Sequence, residues 1–432
     1  MPDLAVCTII TYPSATSYLD LSSVHRMLFC TANLSSHISN TTITADLKVD
    51  TAVDLRALEF GKQVVVSLSR QEPFTMSTPD LPTKMWAAQV VEFNSPYKVH
   101  QIPLPSDLAP KDLLIKVAVA SLCHTDSMVS AGNMGTPLPC TASHEGAGTI
   151  VAIGSSVKDF AVGDWVMAGL LYHACGTCAE CQGPSACPQY CQKTGGFLGV
   201  TNHGFFAQYA KIDAEQTAKL PDKVSFETAA PLACAGITIY RGIVLSAVKK
   251  GEWIAIVGSG GGLGHLGVQF ARAMGLNVIG IDARDEGLEL TRHCGADVII
   301  DARTSREDII KAVHACTNNE GATATLNVSD ASSAAATACA ITKMHGTMIQ
   351  IAQPDDVVIP YHELIFRDIR VRGSVISTVG EARDMLKLVA EHGITVQTNP
   401  FQGLSEIEKL VELAHGGKMK GKGVIIMDQK QV

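Results

Sequence analysis

Residues 252–282 read EWIAIVGSGGGLGHLGVQFARAMGLNVIGID, and this stretch decides the fold. A short apolar run, EWIAIVG, ends in a Gly-rich turn; LGHLGVQFARAMG follows with helical spacing, and NVIGID is a second apolar run. Strand, turn, helix and strand in that order form a βαβ unit of a parallel sheet, so an α/β, doubly wound domain is expected. The turn GSGGGLG lets the backbone approach a pyrophosphate at the helix N-terminus without interference from Cβ atoms. Its candidate contacts are Gly258, Gly260, Gly261, Gly262, Leu263 and Gly264. Asp282, eighteen residues beyond Gly264 at the end of the next strand, would accept the ribose hydroxyls, which favours NAD. Arg284 two residues later offers a partial counter-charge to a 2′-phosphate, so NADP stays open.

Alternation continues downstream through DVIIDA and GTMIQIA, and a nucleotide-binding domain is expected over residues 236–380. Upstream the texture differs. From Met85, runs such as DLLIKVAVAS, AGTIVAIGSS and GDWVMAGL are separated by Gly, Pro and Asp, which predicts a mainly β domain over 85–235. Residues 1–84 show neither a helical nor an alternating period, and they are assigned no fold: a disordered appendage is expected, with Met76 or Met85 as alternative starts.

The chain has 432 residues, 46% hydrophobic and 18% charged, enough for more than one core. A net charge of −8 gives no reason to expect a nucleic-acid or acidic-membrane partner. No apolar run reaches the roughly 18 residues needed to cross a bilayer, and the first residues lack both a basic start and a sustained apolar stretch. A cytoplasmic protein is expected, with a mitochondrial one disfavoured because residues 1–84 are poor in Arg and carry several Asp.

Cysteine usage points to a metal. Of thirteen cysteines, five fall between Cys175 and Cys191, and Cys175, Cys178, Cys181 and Cys187 form C-x2-C-x2-C-x5-C in a Gly-rich stretch. Four thiolates on tight turns suit a closed, structural zinc site, with Cys191 as a spare that could replace Cys187. A catalytic zinc needs three protein ligands and an open position. Cys123 in SLCHTD, His144 in ASHEGAG and Cys234 in PLACAGITIY each end an apolar run; alone, each reads more readily as an ordinary buried Cys or a satisfied His.

Together and in this order, CHTD, HEGAG, the cysteine cluster, CAGIT and the Gly-rich turn resemble the zinc-containing alcohol dehydrogenases of the medium-chain superfamily, from about Met85 to the C-terminus. The HEGAG and CAGIT forms are similar to the fungal, yeast-type ethanol dehydrogenase branch. The resemblance implies a GroES-like catalytic domain, completed by about 381–432, beside a Rossmann domain. It further implies Cys123, His144 and Cys234 as catalytic zinc ligands, Glu145 as an alternative ligand, and Asp126 as an acceptor orienting a ligand imidazole. His124 and Lys422 would contact the pyrophosphate, and Thr238 would lie beside the nicotinamide. The turn reads G-x-x-G-G-x-G rather than G-x-G-x-x-G, a variant the same superfamily uses.

The implied reaction is reversible hydride transfer between an alcohol and its aldehyde or ketone, with two zinc ions per chain and NAD or NADP. Thr125, two positions from Cys123, would receive the alcohol proton. Where many relatives carry a relaying His, this chain has Met128, so water or the cofactor ribose would complete the exit. In DSMVSAGNMGTPLP, Met134 stands where ethanol-specific relatives have a pocket-narrowing tryptophan, which predicts a substrate larger than ethanol. A homodimer or homotetramer is implied. Two other functions compete: a zinc-independent reductase of an activated C=C bond or quinone, and a non-catalytic, zinc-stabilised nucleotide-binding protein. The cysteine cluster and the Cys/His/Cys set argue against the first; the second would be favoured only by loss of a catalytic ligand, and all three are present.

Overall fold

The computed structural model describes residues 54–60, 63–69, 81–183 and 186–432. Strands Asp54–Phe60 and Gln63–Ser69 pair antiparallel, within a compact unit of their own. This differs from the expectation of no structure over 1–84. The missed signal is the β-branched run Val64–Val66.

The nucleotide domain is a six-stranded parallel sheet. Its strands lie in the order Val298–Asp301, Asn277–Asp282, Trp253–Val257, Ala322–Asn327, Thr342–Gln350 and Arg370–Gly373. Numbered along the chain this is 3-2-1-4-5-6, the doubly wound order, whose direction reverses between Trp253–Val257 and Ala322–Asn327. A ligand crevice belongs beyond the carboxyl ends of those two strands. The Gly-rich turn lies there. Gly258 has φ +88°, and a Cβ on Gly264 would stand 2.1 Å from the Gly258 carbonyl oxygen, so neither position tolerates a side chain.

The catalytic region is a mainly antiparallel sheet built around Asp112–Ser121, almost wholly buried, which pairs with Glu145–Ile153, Tyr209–Asp213 and Lys422–Ile426. Strand Lys422–Ile426 returns from beyond the nucleotide domain and brings Thr398–Gln402 with it as a parallel neighbour. Between the two sheets runs the helical stretch Phe226–Ser246, 21 residues and apolar enough by length and composition to cross a bilayer. The sequence reading did not pick out this span. It is mostly buried inside the protein. Its apolar faces join Val119 and Ala147 of the catalytic sheet to Ile256, Leu266 and Phe270 of the nucleotide domain in one continuous core. That shared core holds the crevice walls in a fixed relation.

Candidate active site

The register of two strands assembles the first half of the site. Ser121 pairs with Glu145. Cys123, just past the end of one strand, and His144, just before the start of the other, therefore fall side by side. Ser143 reaches this corner in the left-handed region at φ 70°, where its hydroxyl donates to the Ser121 and Glu145 carbonyls. Cys234 comes from the core helix, at a single π-turn, Leu232–Gly236, that interrupts the α-helical pattern. Such turns free a backbone N–H from the helix ladder. Here the Ala235 N–H donates to Glu145 Oε1 at 3.3 Å.

One ligand atom from each of Cys123, His144, Glu145 and Cys234 lies within 4.8 Å of the others. The donor set and its electrostatics both suit a cation. His144 is fully buried, and neither ring nitrogen has a hydrogen-bond partner among the described residues. The Cys123 thiol is held well below its ordinary range, chiefly by the hydrogen bond from Cys234, whose own pKa rises because it keeps the proton. Burial opposes protonation of His144, yet Asp126 and Cys123 overcome it and raise its pKa. Protons are crowded where a metal would replace them, and two thiols with an imidazole suit zinc.

Asp126 is buried and does more than face the imidazole. Its carboxylate accepts the Cys123 N–H at 2.8 Å and the Ser143 N–H at 3.0 Å, fixing the backbone at both ligand turns. His144 Nδ1 stands 3.5 Å from Asp126 Oδ1, too long for a strong hydrogen bond. Thr125 Oγ1 is 3.9 Å from Cys123 Sγ, at the rim of the site. Thr238 is buried with a hydroxyl that has no partner among the described residues, and His124 is exposed on the first turn of helix His124–Ser130.

Lys422 departs from expectation. Its ammonium is not presented to a pyrophosphate but buried on Glu145, 2.9 Å from Oε1 and 2.8 Å from Oε2. A buried carboxylate at a thiol-rich site would be costly alone, and Lys422 is the cation that offsets it. Burial still pushes the Glu145 carboxyl up to about 7, against the pull of Lys422. The Lys422 stem nonetheless packs on the Gly-rich turn, with Cδ 2.9 Å from where a Gly262 Cβ would sit.

At that turn the Asp282 carboxylate accepts the Gly260 N–H at 2.9 Å and the Arg284 N–H at 3.0 Å. The Arg284 guanidinium reaches the carbonyls of Gly260, Gly417 and Met419, tying the turn to the loop that precedes Lys422.

The cysteine lobe also corrects the sequence reading. The thiols that converge are Cys175, Cys178, Cys181 and Cys191, not Cys187. Cys178 Sγ lies 3.5 Å from Cys181 Sγ and 3.8 Å from Cys191 Sγ, and Cys191 accepts the Cys175 N–H. The one-turn 3-10 helix Pro188–Tyr190 swings the chain back so that Cys191 points inward. Cys187 instead accepts a hydrogen bond from buried Arg241, whose guanidinium is paired with Glu381. The residue the sequence reading passed over is His265, fully buried between the turn and Gln397; it reads as one polar position on an apolar helix, and nothing local marks it.

Residues 109–222 match the alcohol dehydrogenase GroES-like domain, and 262–391 match the zinc-binding dehydrogenase domain. The chain is 33% identical over 346 residues to an alcohol dehydrogenase of Geobacillus stearothermophilus, covering 79% of this chain and 98% of that one. It is 32% identical over 356 residues to alcohol dehydrogenase 1 of Emericella nidulans, covering 81% and 99%. The solved alcohol dehydrogenase of the archaeon Aeropyrum pernix superposes with a TM-score of 0.71 at 28% identity, covering 79% and 99%. With its GroES-like sheet, its doubly wound nucleotide domain and its full-length relatives, this chain belongs to the zinc-binding alcohol dehydrogenase family.

Proposed function

We propose that this protein is a zinc-dependent alcohol dehydrogenase that oxidises a primary or secondary alcohol, or reduces its carbonyl product, with NAD. The observation that carries the reading is the convergence of Cys123, His144, Glu145 and Cys234 in a buried site beside the Gly-rich turn. Cys123, His144 and Cys234 would hold zinc, which would supply Lewis acidity toward an alcohol oxygen, and the Gly-rich turn would hold a nicotinamide cofactor as the hydride acceptor. Thr125 accepts the alcohol proton, since its hydroxyl both accepts and donates. Met128 cannot pass that proton on, so its exit would need water or the ribose of a bound cofactor. Asp126 keeps Cys123 and His144 in register, and Thr238 offers its free hydroxyl to the nicotinamide side.

Asp282 supports NAD over NADP, because its carboxylate stands at the turn where a 2′-phosphate would be repelled. A second zinc in the Cys175, Cys178, Cys181 and Cys191 lobe is structural: four thiols leave no open position. Met134, partly buried against the catalytic core, leaves a wider and more adaptable pocket than a tryptophan would, favouring alcohols bulkier than ethanol. Fungal and bacterial relatives match almost equally, so the yeast-type HEGAG and CAGIT forms alone support the fungal branch. A homo-oligomer is supported by the open edge strand Arg370–Gly373 beside exposed Ile365, Phe366 and Val371. The many free thiols suit a reducing compartment such as the cytoplasm.

The test is zinc content per chain in the wild type and in Cys123→Ser, with NADH absorbance followed over a panel of alcohols and aldehydes. Loss of one zinc together with turnover supports the reading. Turnover retained by the variant at unchanged zinc would point to the metal-independent reductase instead.

A further inference from the structure

His265 stands on the first turn of helix Gly264–Ala273 and is completely buried. Its Nδ1 lies 2.9 Å from the Gly261 carbonyl oxygen, and its Nε2 lies 3.2 Å from the Gln397 backbone N–H. A carbonyl only accepts and an N–H only donates, so one tautomer satisfies both: Nδ1 carries the proton and Nε2 offers its lone pair. A second proton would set Nε2–H against Gln397 N–H. Burial and nearby Lys422 agree with a neutral ring, lowering its pKa to about 4.

The two partners of this ring belong to different machinery. Gly261 is in the nucleotide turn. Gln397 accepts the Lys422 N–H on its carbonyl at 2.8 Å, and Lys422 Nζ is the cation on Glu145 in the metal site. One helical turn further on, Gln269 donates to the Thr395 carbonyl at 2.9 Å, so two side chains of one helix clip the 395–397 segment in place.

We infer that His265 is a positioning residue that couples cofactor binding at the Gly-rich turn to the Lys422–Glu145 pair at the metal site. The inference rests on the function proposed above, since it needs a dinucleotide at the turn. A pyrophosphate bound by the turn fixes the Gly261 carbonyl, the imidazole transmits that constraint to Gln397, and strand Lys422–Ile426 carries it to the Glu145 carboxylate. The reverse holds by linkage: a metal site that holds Lys422 in place favours the binding-competent turn.

The experiment is NADH affinity by fluorescence titration, without turnover, on the metal-loaded wild type, His265→Leu, Lys422→Met and the double variant. Leu fills the volume and removes both hydrogen bonds. The expected result is a loss of affinity of about 5- to 10-fold for His265→Leu in the wild-type background but less than about twofold in the Lys422→Met background. His265→Gln, which keeps a donor and an acceptor, recovers at least part of the loss and serves where the Leu variant is too unstable to titrate. Equal losses in both backgrounds, or none in either, overturn the coupling. Wild-type protein that fails to bind NADH overturns the functional reading instead, and thereby this inference with it.

Discussion

Lys422 and Glu145, 277 residues apart in sequence, form a fully buried ion pair with Nζ 2.9 Å from Oε1 and 2.8 Å from Oε2. Removing one partner of such a pair strands the other charge without solvent. Lys422→Met is expected to destabilise the protein by about 3–5 kcal/mol. Adding Glu145→Gln should recover most of that loss. Urea unfolding midpoints at pH 8 of the two variants and the wild type check this; equal midpoints for Lys422→Met and wild type would show that the pair is not buried as described.

Cys187 and Cys191 should behave differently although either spacing looked suitable. Cys191→Ser is expected to lower zinc from about two to about one per chain and to cost stability, because a four-thiolate site loses a ligand. Cys187→Ser should keep both ions, since that thiol faces Arg241. Metal analysis after dialysis decides, and zinc loss in Cys187→Ser alone would restore the sequence-based assignment.

Thr125→Val removes the hydroxyl at the rim of the site while preserving shape. The expected outcome is a fall in kcat of about 10²- to 10⁴-fold with zinc content unchanged. Thr125→Ser should retain most of the activity. Full activity in the Val variant would assign the proton to another acceptor.

His265 also predicts a pH dependence of stability. Its folded pKa is depressed from 6.5 to about 4, so the unfolded chain binds the extra proton more readily between those values. The stability contribution is present above pH 6.5 and is lost as pH falls toward 4, by a total on the order of 3 kcal/mol. Unfolding midpoints of the wild type should therefore fall more steeply across that window than those of His265→Leu. Parallel curves would mean the ring titrates alike in both states.

The exposed edge beside Ile365, Phe366 and Val371 gives an assembly prediction. Phe366→Glu and Val371→Lys together should shift a dimer or tetramer to monomer in light scattering, since charge blocks edge pairing. An unchanged mass would place the interface elsewhere.

The sequence by itself determined the parts that rest on local pattern. The βαβ unit around Gly258–Gly264 is written in one contiguous stretch, because strand, turn and helix depend on near neighbours. Cys123, His144 and Cys234 were legible because each ends an apolar run, and their order was recognisable even though no one of them was compelling. The hairpin at Asp54–Ser69 was a local signal that went unread.

Tertiary structure alone decided the rest. Cys191 displaces Cys187 because a single 3-10 turn sets which sulfur points inward, and spacing cannot report direction. The π-turn that aims Cys234 and frees the Ala235 N–H leaves no mark on composition. Lys422 meets Glu145, and His265 meets Gln397, through a strand from near the C-terminus that lies beside Asp112–Ser121. Those contacts span more than a hundred residues, and each holds because a buried charge or hydrogen-bonding group meets the partner that offsets its desolvation, which no local stretch of chain encodes.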